Sequence, residues 1–127
     1  MGTQWARINL ANNQLTGTIP STIDSNRKLL KTLNLAGNQL SGSIPLYLNN
    51  CTTCQSLILE NNQLSGVIND EFALKITNLY TIRLANNLLS GNIPNAIFSF
   101  PNPIGIADSV IDLSGIFYLF LKFLYLN

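Results

Sequence analysis

The sequence predicts an α/β solenoid of about four repeats whose short parallel strands form a concave sheet. Two observations carry this prediction. Leu, Asn and Ile together supply 54 of the 127 residues, and an eight-residue block recurs four times along the chain. The last Asn of the block returns after 25, 24 and 25 residues, at Asn13, Asn38, Asn62 and Asn87. Such a period is typical of a solenoid, because one turn alone cannot bury its apolar face whereas stacked turns can.

Each block is predicted to begin with a short strand. Residues 33–35 read Leu-Asn-Leu, and two aliphatic residues separated by one variable residue begin the other three blocks as well. Successive side chains of a strand point to opposite faces, so the aliphatic residues are expected to point inward and the residue between them outward. Gly42 and Pro45 follow in the second copy, and the strand is therefore not expected to extend far beyond Leu40.

The recurring Asn lies between inward-pointing aliphatic residues, so its side-chain amide is predicted to be buried. A buried amide without hydrogen-bond partners costs about 1–3 kcal/mol. We therefore expect the four amides to bond the backbone of adjacent turns as a ladder and to have a structural role only. It follows that Asn62→Leu should destabilise the protein far more than Asn61→Ala.

The segments between strands are predicted to be short helices or 3₁₀ turns on the convex side. Residues 22–30, 46–55 and 72–79 carry apolar residues at roughly helical spacing. Asp70 and Glu71 precede the third of these segments, and acidic side chains suit the positive end of a helix dipole. The repeated Ile-Pro pairs are expected to start extended stretches, because proline fixes φ and lacks a backbone donor.

The element that follows each block supplies a family resemblance. It reads Thr-Gly-Thr-Ile-Pro at 16–20, Ser-Gly-Ser-Ile-Pro at 41–45, Ser-Gly-Val-Ile-Asn at 65–69 and Ser-Gly-Asn-Ile-Pro at 90–94. With its block, it resembles the plant-type leucine-rich repeat, LxxLxLxxNxLSGxIPxxLxxLxx. The resemblance implies a right-handed horseshoe, as in receptor-like kinases, receptor-like proteins and polygalacturonase inhibitors. Ectodomains of that family bind peptides, small ligands or partner proteins.

The chain is predicted to divide into leucine-rich repeats over 1–100 and a degenerate fifth repeat with an apolar tail over 101–127. Residues 110–115 look like a fifth strand start, although they come later than the repeat period requires. The tail has an unbroken apolar run of only six residues before Lys122, against roughly 20 for a bilayer span. Three interpretations stay open: a displaced C-terminal cap, an aberrant end of a truncated or misread gene product, and a membrane anchor.

The start of the chain lacks a charged segment followed by an apolar one, so no signal peptide is visible. The resemblance nevertheless implies an extracellular or plasma-membrane location, with any membrane attachment supplied by the parent protein. Asn50 begins an Asn-Cys-Thr sequon and is a candidate N-glycosylation site in a secreted chain.

Cys51 and Cys54 form a single C-x-x-C pair. Structural zinc needs four ligands, and the chain has neither a histidine nor a second cysteine pair. The two cysteines are interpreted as small buried apolar residues or as a local disulfide. No metal or other cofactor is expected.

Composition argues against nucleic-acid binding and catalysis. The net charge is +1 and 10% of residues are charged, whereas phosphate backbones are held by clustered basic side chains. The absence of histidine excludes histidine-based triads. The six carboxylates show no pair placed to converge on a cleft. An enzyme is therefore not expected, and binding is the class of function that is left.

Binding residues are expected at the outward-facing strand positions, which together tile the concave sheet. Most of these positions carry small polar residues, so the larger or charged side chains stand out. Arginine is enriched at interface hot spots, and Ile58 is an aliphatic residue among polar neighbours. The predicted partner-binding residues are Arg7, Asn9, Asn34, Ile58, Glu60, Tyr80 and Arg83.

Three functional hypotheses remain. The first is a fragment of a plant receptor-like kinase or receptor-like protein ectodomain, which binds a protein or peptide ligand or a co-receptor in signalling or defence. The second is a stand-alone secreted inhibitor or adaptor similar to polygalacturonase inhibitors. The third is a truncated remnant without function.

Overall fold

The repeats fold into two sheets of parallel strands. The computed structural model describes residues 7–20, 22–23, 30–46, 48, 51–75, 78–98 and 110–112. The elements in chain order are β1 (Arg7–Asn9), β2 (Thr16–Thr18), β3 (Thr32–Asn34), β4 (Gln39–Gly42), β5 (Ser56–Ile58), β6 (Gln63–Val67), α1 (Asp70–Lys75), β7 (Thr81–Arg83), β8 (Leu88–Ser90), a 3₁₀ helix (Asn95–Phe98) and β9 (Val110–Asp112).

The first sheet has the order β1-β3-β5-β7-β9, with one strand from each turn. Equivalent positions of neighbouring turns pair directly, so Leu33 lies opposite Leu57, and Leu57 opposite Ile82. In β3, β5 and β7 the central residue is buried and the two flanking residues are half-buried. The predicted solenoid with a short parallel sheet is therefore confirmed, and β9 is the predicted fifth strand.

A second sheet, of order β2-β4-β6-β8, runs through the Ser-Gly elements, and no pattern in the sequence predicts it. Here the register shifts by two residues at every step, since Gly17 pairs with Leu40 and Gly42 with Leu64. Gly42 has φ +79°, a left-handed conformation that glycine adopts without strain. The hydroxyl of Ser41 donates to the carbonyl of Gly17 at 3.4 Å, which explains the serine before the glycine.

The core is one continuous cluster of mainly aliphatic side chains, which also contains Cys51, Cys54 and Phe72. It extends from Ile19 in the first turn to Ile97 after the fourth. Six of the eight least exposed large residues occupy predicted inward positions of the blocks, and two lie outside the blocks: Leu33, Leu57, Leu59, Leu64, Ile82 and Leu84 inside, Leu79 and Ile97 outside. The alternation of the block thus predicts the buried residues of the second to fourth turns, but it is wrong for Leu10 and Leu15 of the first turn, which are 43% and 38% exposed.

The residue before each ladder Asn adopts a left-handed backbone conformation. Its φ is +56° at Asn12, +57° at Asn61 and +54° at Asn86, and +65° at Gly37. Asparagine and glycine are the residues that tolerate this region best, which explains why the block reads Asn-Asn or Gly-Asn. Neighbouring turns also contact each other at this position. The Asn86 side-chain amide donates to Asn61 Oδ1 at 2.9 Å.

The convex side consists of short helical turns where they are described. Leu46 and Leu48 have 3₁₀ conformation. The amide of Cys51 donates to the carbonyl of Leu48, and that of Cys54 to the carbonyl of Cys51, both at 3.1 Å. These successive three-residue turns confirm the prediction for residues 46–55. The expectation that the Ile-Pro pairs start extended stretches is wrong, because the amide of Leu48 donates to the carbonyl of Pro45 at 3.2 Å and that of Ile97 to the carbonyl of Pro94 at 3.0 Å, which closes a turn at each proline. Most of the predicted segment 22–30 lies outside the described residues.

Helix α1 begins at the predicted acidic pair and is capped by Asn69. The side-chain oxygen of Asn69 accepts from the amide of Phe72 at 2.8 Å, and its carbonyl accepts from the amide of Ala73 at 3.1 Å. An N-cap side chain satisfies one of the otherwise unpaired amides of the first helical turn. This bond explains why the third repeat has Asn where the other repeats have Pro.

The substitution Asn69→Ala is expected to lower the free energy of unfolding by about 1 kcal/mol, because it removes the cap. The measurement is urea denaturation of the full chain followed by circular dichroism. Asn69→Asp is the matched control, since its carboxylate also accepts from the first helical turn. If the aspartate variant lost as much stability as the alanine variant, the cap would not be the cause.

Several predictions concern the cysteine pair, the glycosylation sequon and the apolar tail. Cys51 and Cys54 are both buried and form no disulfide. The candidate glycosylation site Asn50 lies outside the described residues, as does the segment 101–127 apart from β9. Of the helices that the structure describes, none has the length and apolar character needed to cross a bilayer.

Candidate functional site

The amide ladder stabilises the stack of turns. Asn62 Nδ2 donates to the carbonyl of Leu35 in the preceding turn at 2.9 Å and to that of Leu59 in its own turn at 3.1 Å. Its Oδ1 accepts from the amide of Leu40 in the preceding turn at 3.0 Å. Asn38 and Asn87 make the equivalent bonds. These side chains bond the backbone of the solenoid itself, so the concave surface is formed by other residues.

The expectation of burial is wrong for Asn13, which is exposed, and is met only in part by Asn87, which is half-buried. Asn13 Nδ2 donates to the carbonyls of Leu10 and Ala11 in its own turn, both at 3.1 Å. The physical reason is position, since burial in this ladder needs a preceding turn and β1 is the first strand of its sheet. Asn38 and Asn62 have such a neighbour and are 9% and 8% exposed.

The first two turns present small polar groups on the concave sheet. Asn9 Oδ1 accepts from the amide of Ala11, and Asn34 Oδ1 accepts from the amide of Ala36, both at 3.1 Å. These bonds, between residues two apart, hold each side chain against its own strand. Arg7 is exposed on β1. A partner bound to this half of the sheet would therefore contact side-chain amides and one guanidinium group.

The third and fourth turns carry a different set of side chains on the same face. Ile58 lies directly opposite Arg83 in the register of β5 and β7. Arg83 Nη1 donates to Glu60 Oε1 at 3.2 Å, and the two side chains are 42% and 20% exposed. Tyr80 precedes β7, is half-buried, and donates its backbone amide to the carbonyl of Gln55 at 2.8 Å.

We call Ile58, Glu60, Tyr80 and Arg83 the concave cluster. They lie on two adjacent strands or directly beside them, and they combine an apolar, an aromatic, a cationic and an anionic side chain. Arg7 lies on β1, three strand spacings from Arg83, which is about 14 Å at ~4.8 Å per strand. The structure therefore brings Ile58, Glu60 and Arg83 together, places Tyr80 just before β7, and puts Arg7 and Asn9 on β1 and Asn34 on β3.

The fifth strand extends this face by one position that sequence reasoning missed. The backbone of Asp112 on β9 pairs in register with Arg83 on β7. The signal was weak, because the fifth repeat is displaced from the period and lacks its ladder Asn. In the backbone register of this sheet, Asp112 is the equivalent of Asn9, Asn34, Ile58 and Arg83.

The concave cluster is accessible to solvent, since the Arg83 and Glu60 side chains are 42% and 20% exposed. A cavity between the second and third turns has a volume of about 10 Å³, room for one water. Cys51, Cys54 and Leu57 contribute to its lining. In the described part of the chain, no three His, Cys, Asp or Glu side chains gather as metal ligands would. The arrangement suits recognition of an extended ligand by hydrogen bonds, charge and apolar contact.

Comparisons with known proteins agree with the repeat architecture. Residues 6–26, 29–51, 53–74 and 78–100 match the Leucine Rich Repeat family model. No curated protein sequence matches the chain.

Solved structures of several plant proteins are similar. A chain of the BIR3–SERK2 complex from Arabidopsis thaliana is 41% identical, with a TM-score of 0.66. The Arabidopsis receptor kinase HAESA ectodomain, in complex with an IDA peptide hormone, is 38% identical, with a TM-score of 0.65. A plant ice-binding protein is 32% identical, with a TM-score of 0.70. These matches cover 74%, 71% and 76% of this chain, but only 50%, 15% and 31% of the other chains.

Proposed function

The chain belongs to the leucine-rich repeat family, and from this premise we propose that it is a peptide- or protein-binding module of a plant receptor ectodomain. The proposed site is the concave cluster, with Arg7, Asn9 and Asn34 as peripheral contacts. The proposed ligand is an extended peptide or a co-receptor surface. We also propose an extracellular location, because the solved structures that are similar to this chain include receptor ectodomains.

One observation carries the proposal, namely that the central outward residues of the third and fourth turns differ from those of the first two turns. Where the first two turns have Asn at the central outward position, these turns have Ile58 and Arg83. The inward positions keep their aliphatic residues throughout. Constant inward residues are explained by packing, whereas a distinctive outward cluster is typical of a recognition surface.

The fold alone does not decide the ligand. The plant ice-binding protein has the same architecture at a similar level of identity, and one scaffold can present many different sites. The choice of a peptide ligand depends on the side chains of the concave cluster. Arg83 has donors beyond its bond to Glu60, and Ile58 offers an apolar contact beside it.

The proposal is tested by selecting peptides from a random displayed library against the full chain. Variants Ile58→Asp and Arg83→Glu are expected to weaken binding of the selected peptides at least tenfold, because hot-spot losses reach about 2 kcal/mol or more. Affinity is measured by isothermal titration calorimetry, and circular dichroism verifies that the variants are folded.

Leu74→Asp is the matched control. Leu74 lies on α1 and is 64% exposed, so the change should not alter peptide affinity. Peptides whose binding is insensitive to both concave substitutions, or is lost in the Leu74 variant, would place the ligand elsewhere and reject the proposed site. The remnant hypothesis is rejected by cooperative unfolding together with saturable binding in the same experiments.

A further inference from the structure

The side-chain amide of Asn34, on β3 of the concave sheet, has a fixed orientation. Its Oδ1 accepts from the backbone amide of Ala36 at 3.1 Å. A backbone N–H can only donate, so the side-chain atom that faces it is the oxygen, and the NH2 group lies on the other side of the amide. Asn9 makes the same bond with the amide of Ala11 at 3.1 Å. The local bond therefore directs the donors of the amide away from its own turn.

The NH2 group of Asn34 is available to a ligand. Within the residues that the structure describes, its Nδ2 donates to no protein acceptor, whereas Nδ2 of the ladder residue Asn38 makes three bonds. Asn34 is half-buried and β3 has a neighbouring strand on each side. A half-buried donor that the protein does not satisfy needs water or a ligand as its acceptor.

A second donor lies two strands away, with an apolar side chain between the two. The register of β3, β5 and β7 places Asn34, Ile58 and Arg83 side by side. Arg83 donates through Nη1 to Glu60 Oε1, and its guanidinium has several further N–H donors and no acceptor. We call Asn34, Ile58 and Arg83 the donor row. It offers a ligand two sets of donors and one apolar contact.

The donor row complements a ligand that has many acceptors and few donors. Each residue of a peptide has a carbonyl, but proline has no N–H. Proline-rich peptides adopt the polyproline II helix, whose carbonyls are free of internal hydrogen bonds. Peptides of this class are therefore better matched to the donor row than chains that carry an N–H on every residue.

The spacing of the donor row agrees with this conformation. Asn34 and Arg83 are two strand spacings apart, which is about 9.6 Å at ~4.8 Å per strand. A polyproline II helix has about three residues per turn and rises about 3.1 Å per residue, so carbonyls on one side recur about every 9.3 Å. In a β-extended peptide they recur about every 6.7 Å and do not match the two positions.

We propose that the ligand of the concave cluster is a proline-rich peptide in the polyproline II conformation, which crosses β3, β5 and β7. Two of its carbonyls, three residues apart, accept from Asn34 and Arg83, and a proline ring between them contacts Ile58. Glu60 is a positioning residue, because its bond to Arg83 at 3.2 Å holds the guanidinium. The inference deepens the proposed function and rests on it, since it names the class of peptide that the same site binds.

The probes are two displayed peptide libraries of equal length, one with proline and one with alanine fixed at every third position and random residues elsewhere. Both are selected against the full chain, and enriched peptides without acidic residues are synthesised with a fluorophore and measured by fluorescence anisotropy. The proline library is expected to yield saturable binders. Binders from the alanine library should be about tenfold weaker or absent, because alanine restores the N–H donors and loosens the conformation.

Asn34→Asp is the decisive variant. Its carboxylate still accepts from the amide of Ala36, so the local turn is kept, but an oxygen that repels the ligand carbonyl replaces the NH2 group. The proline-rich binders are expected to lose affinity by about tenfold or more. Asn92→Asp makes the same change of charge at an exposed position outside the concave sheet, and it should bind as the unmodified chain does. Circular dichroism verifies that both variants are folded.

Equal affinity in the two aspartate variants would overturn the inference. So would a proline library that yields no binders, or binders no tighter than those of the alanine library. The proposed function is decided separately, by the effects of Ile58→Asp and Arg83→Glu on peptides from the random library. If those peptides depend on Ile58 and Arg83 but are insensitive to Asn34→Asp and are not enriched in proline, the proposed site stands and only the ligand class is rejected.

Discussion

Replacing Asn62 by leucine is expected to lower the free energy of unfolding by about 3 kcal/mol or more. Asn62 is 8% exposed and bonds two successive turns. Leucine has a similar size but neither donates nor accepts, so the buried amide of Leu40 loses its partner, and the carbonyl of Leu35 keeps only its bond from Asn38. The unsatisfied amide costs about 1–3 kcal/mol, and the other lost bonds contribute about 0.5–1.5 kcal/mol each. Urea denaturation monitored by circular dichroism measures the loss.

The neighbouring Asn61 provides the control, and its backbone decides which substitution is suitable. Its φ of +57° would make alanine strained by roughly 1–2 kcal/mol, whereas glycine tolerates this region. Asn61→Gly removes the exposed bond with Asn86 and keeps the backbone conformation. We expect a small loss for this variant. Losses of equal size in the two variants would show that the ladder amide does not stabilise the stack.

Truncating Leu59 to alanine is expected to cost about 2–5 kcal/mol, the range for large-to-small changes in a packed core. Leu59 is 0% exposed and belongs to the continuous aliphatic spine, so the cavity would lie between two turns. Because each turn of a solenoid contacts only its neighbours, damage between the third turn and its neighbours should also reduce the cooperativity of unfolding. The midpoint and the m-value of urea denaturation report these two effects separately.

Ile58→Ala is the matched control for this prediction. It removes an aliphatic side chain from the adjacent residue, but Ile58 faces the concave surface and is only half-buried. The expected loss is well below that of Leu59→Ala. If the two variants were equally destabilised, the assignment of inward and outward positions along β5 would be wrong.

Prediction from the sequence was most successful where the signal is local. The alternation around Leu33 and Leu57 decides which side chains face the core, because a strand imposes a period of two wherever it forms. The acidic pair after Asn69 located the start of α1, although the cap itself was not anticipated. The concave cluster was predicted only as a set of outward positions, since its members come from separate turns.

The second sheet was missed for a related reason. Its strands include glycines that ordinarily weaken strand propensity, and Gly42 continues pairing because its left-handed conformation fits a register shifted by two residues. That register depends on how neighbouring turns pair, so the sequence within one turn does not predict it. The same is true of the ion pair between Glu60 and Arg83, which are 23 residues apart.

The repeat period and the alternation of aliphatic residues were enough to determine the solenoid, the buried spine and the amide positions, because every turn repeats the same local chemistry. Only the tertiary structure shows which turns are stacked between two neighbouring turns and which are not. Asn13 and Asn62 belong to equivalent blocks, yet one amide is exposed and the other buried. The difference lies in stacking: a hydrogen bond between turns exists only where a second turn supplies the partner.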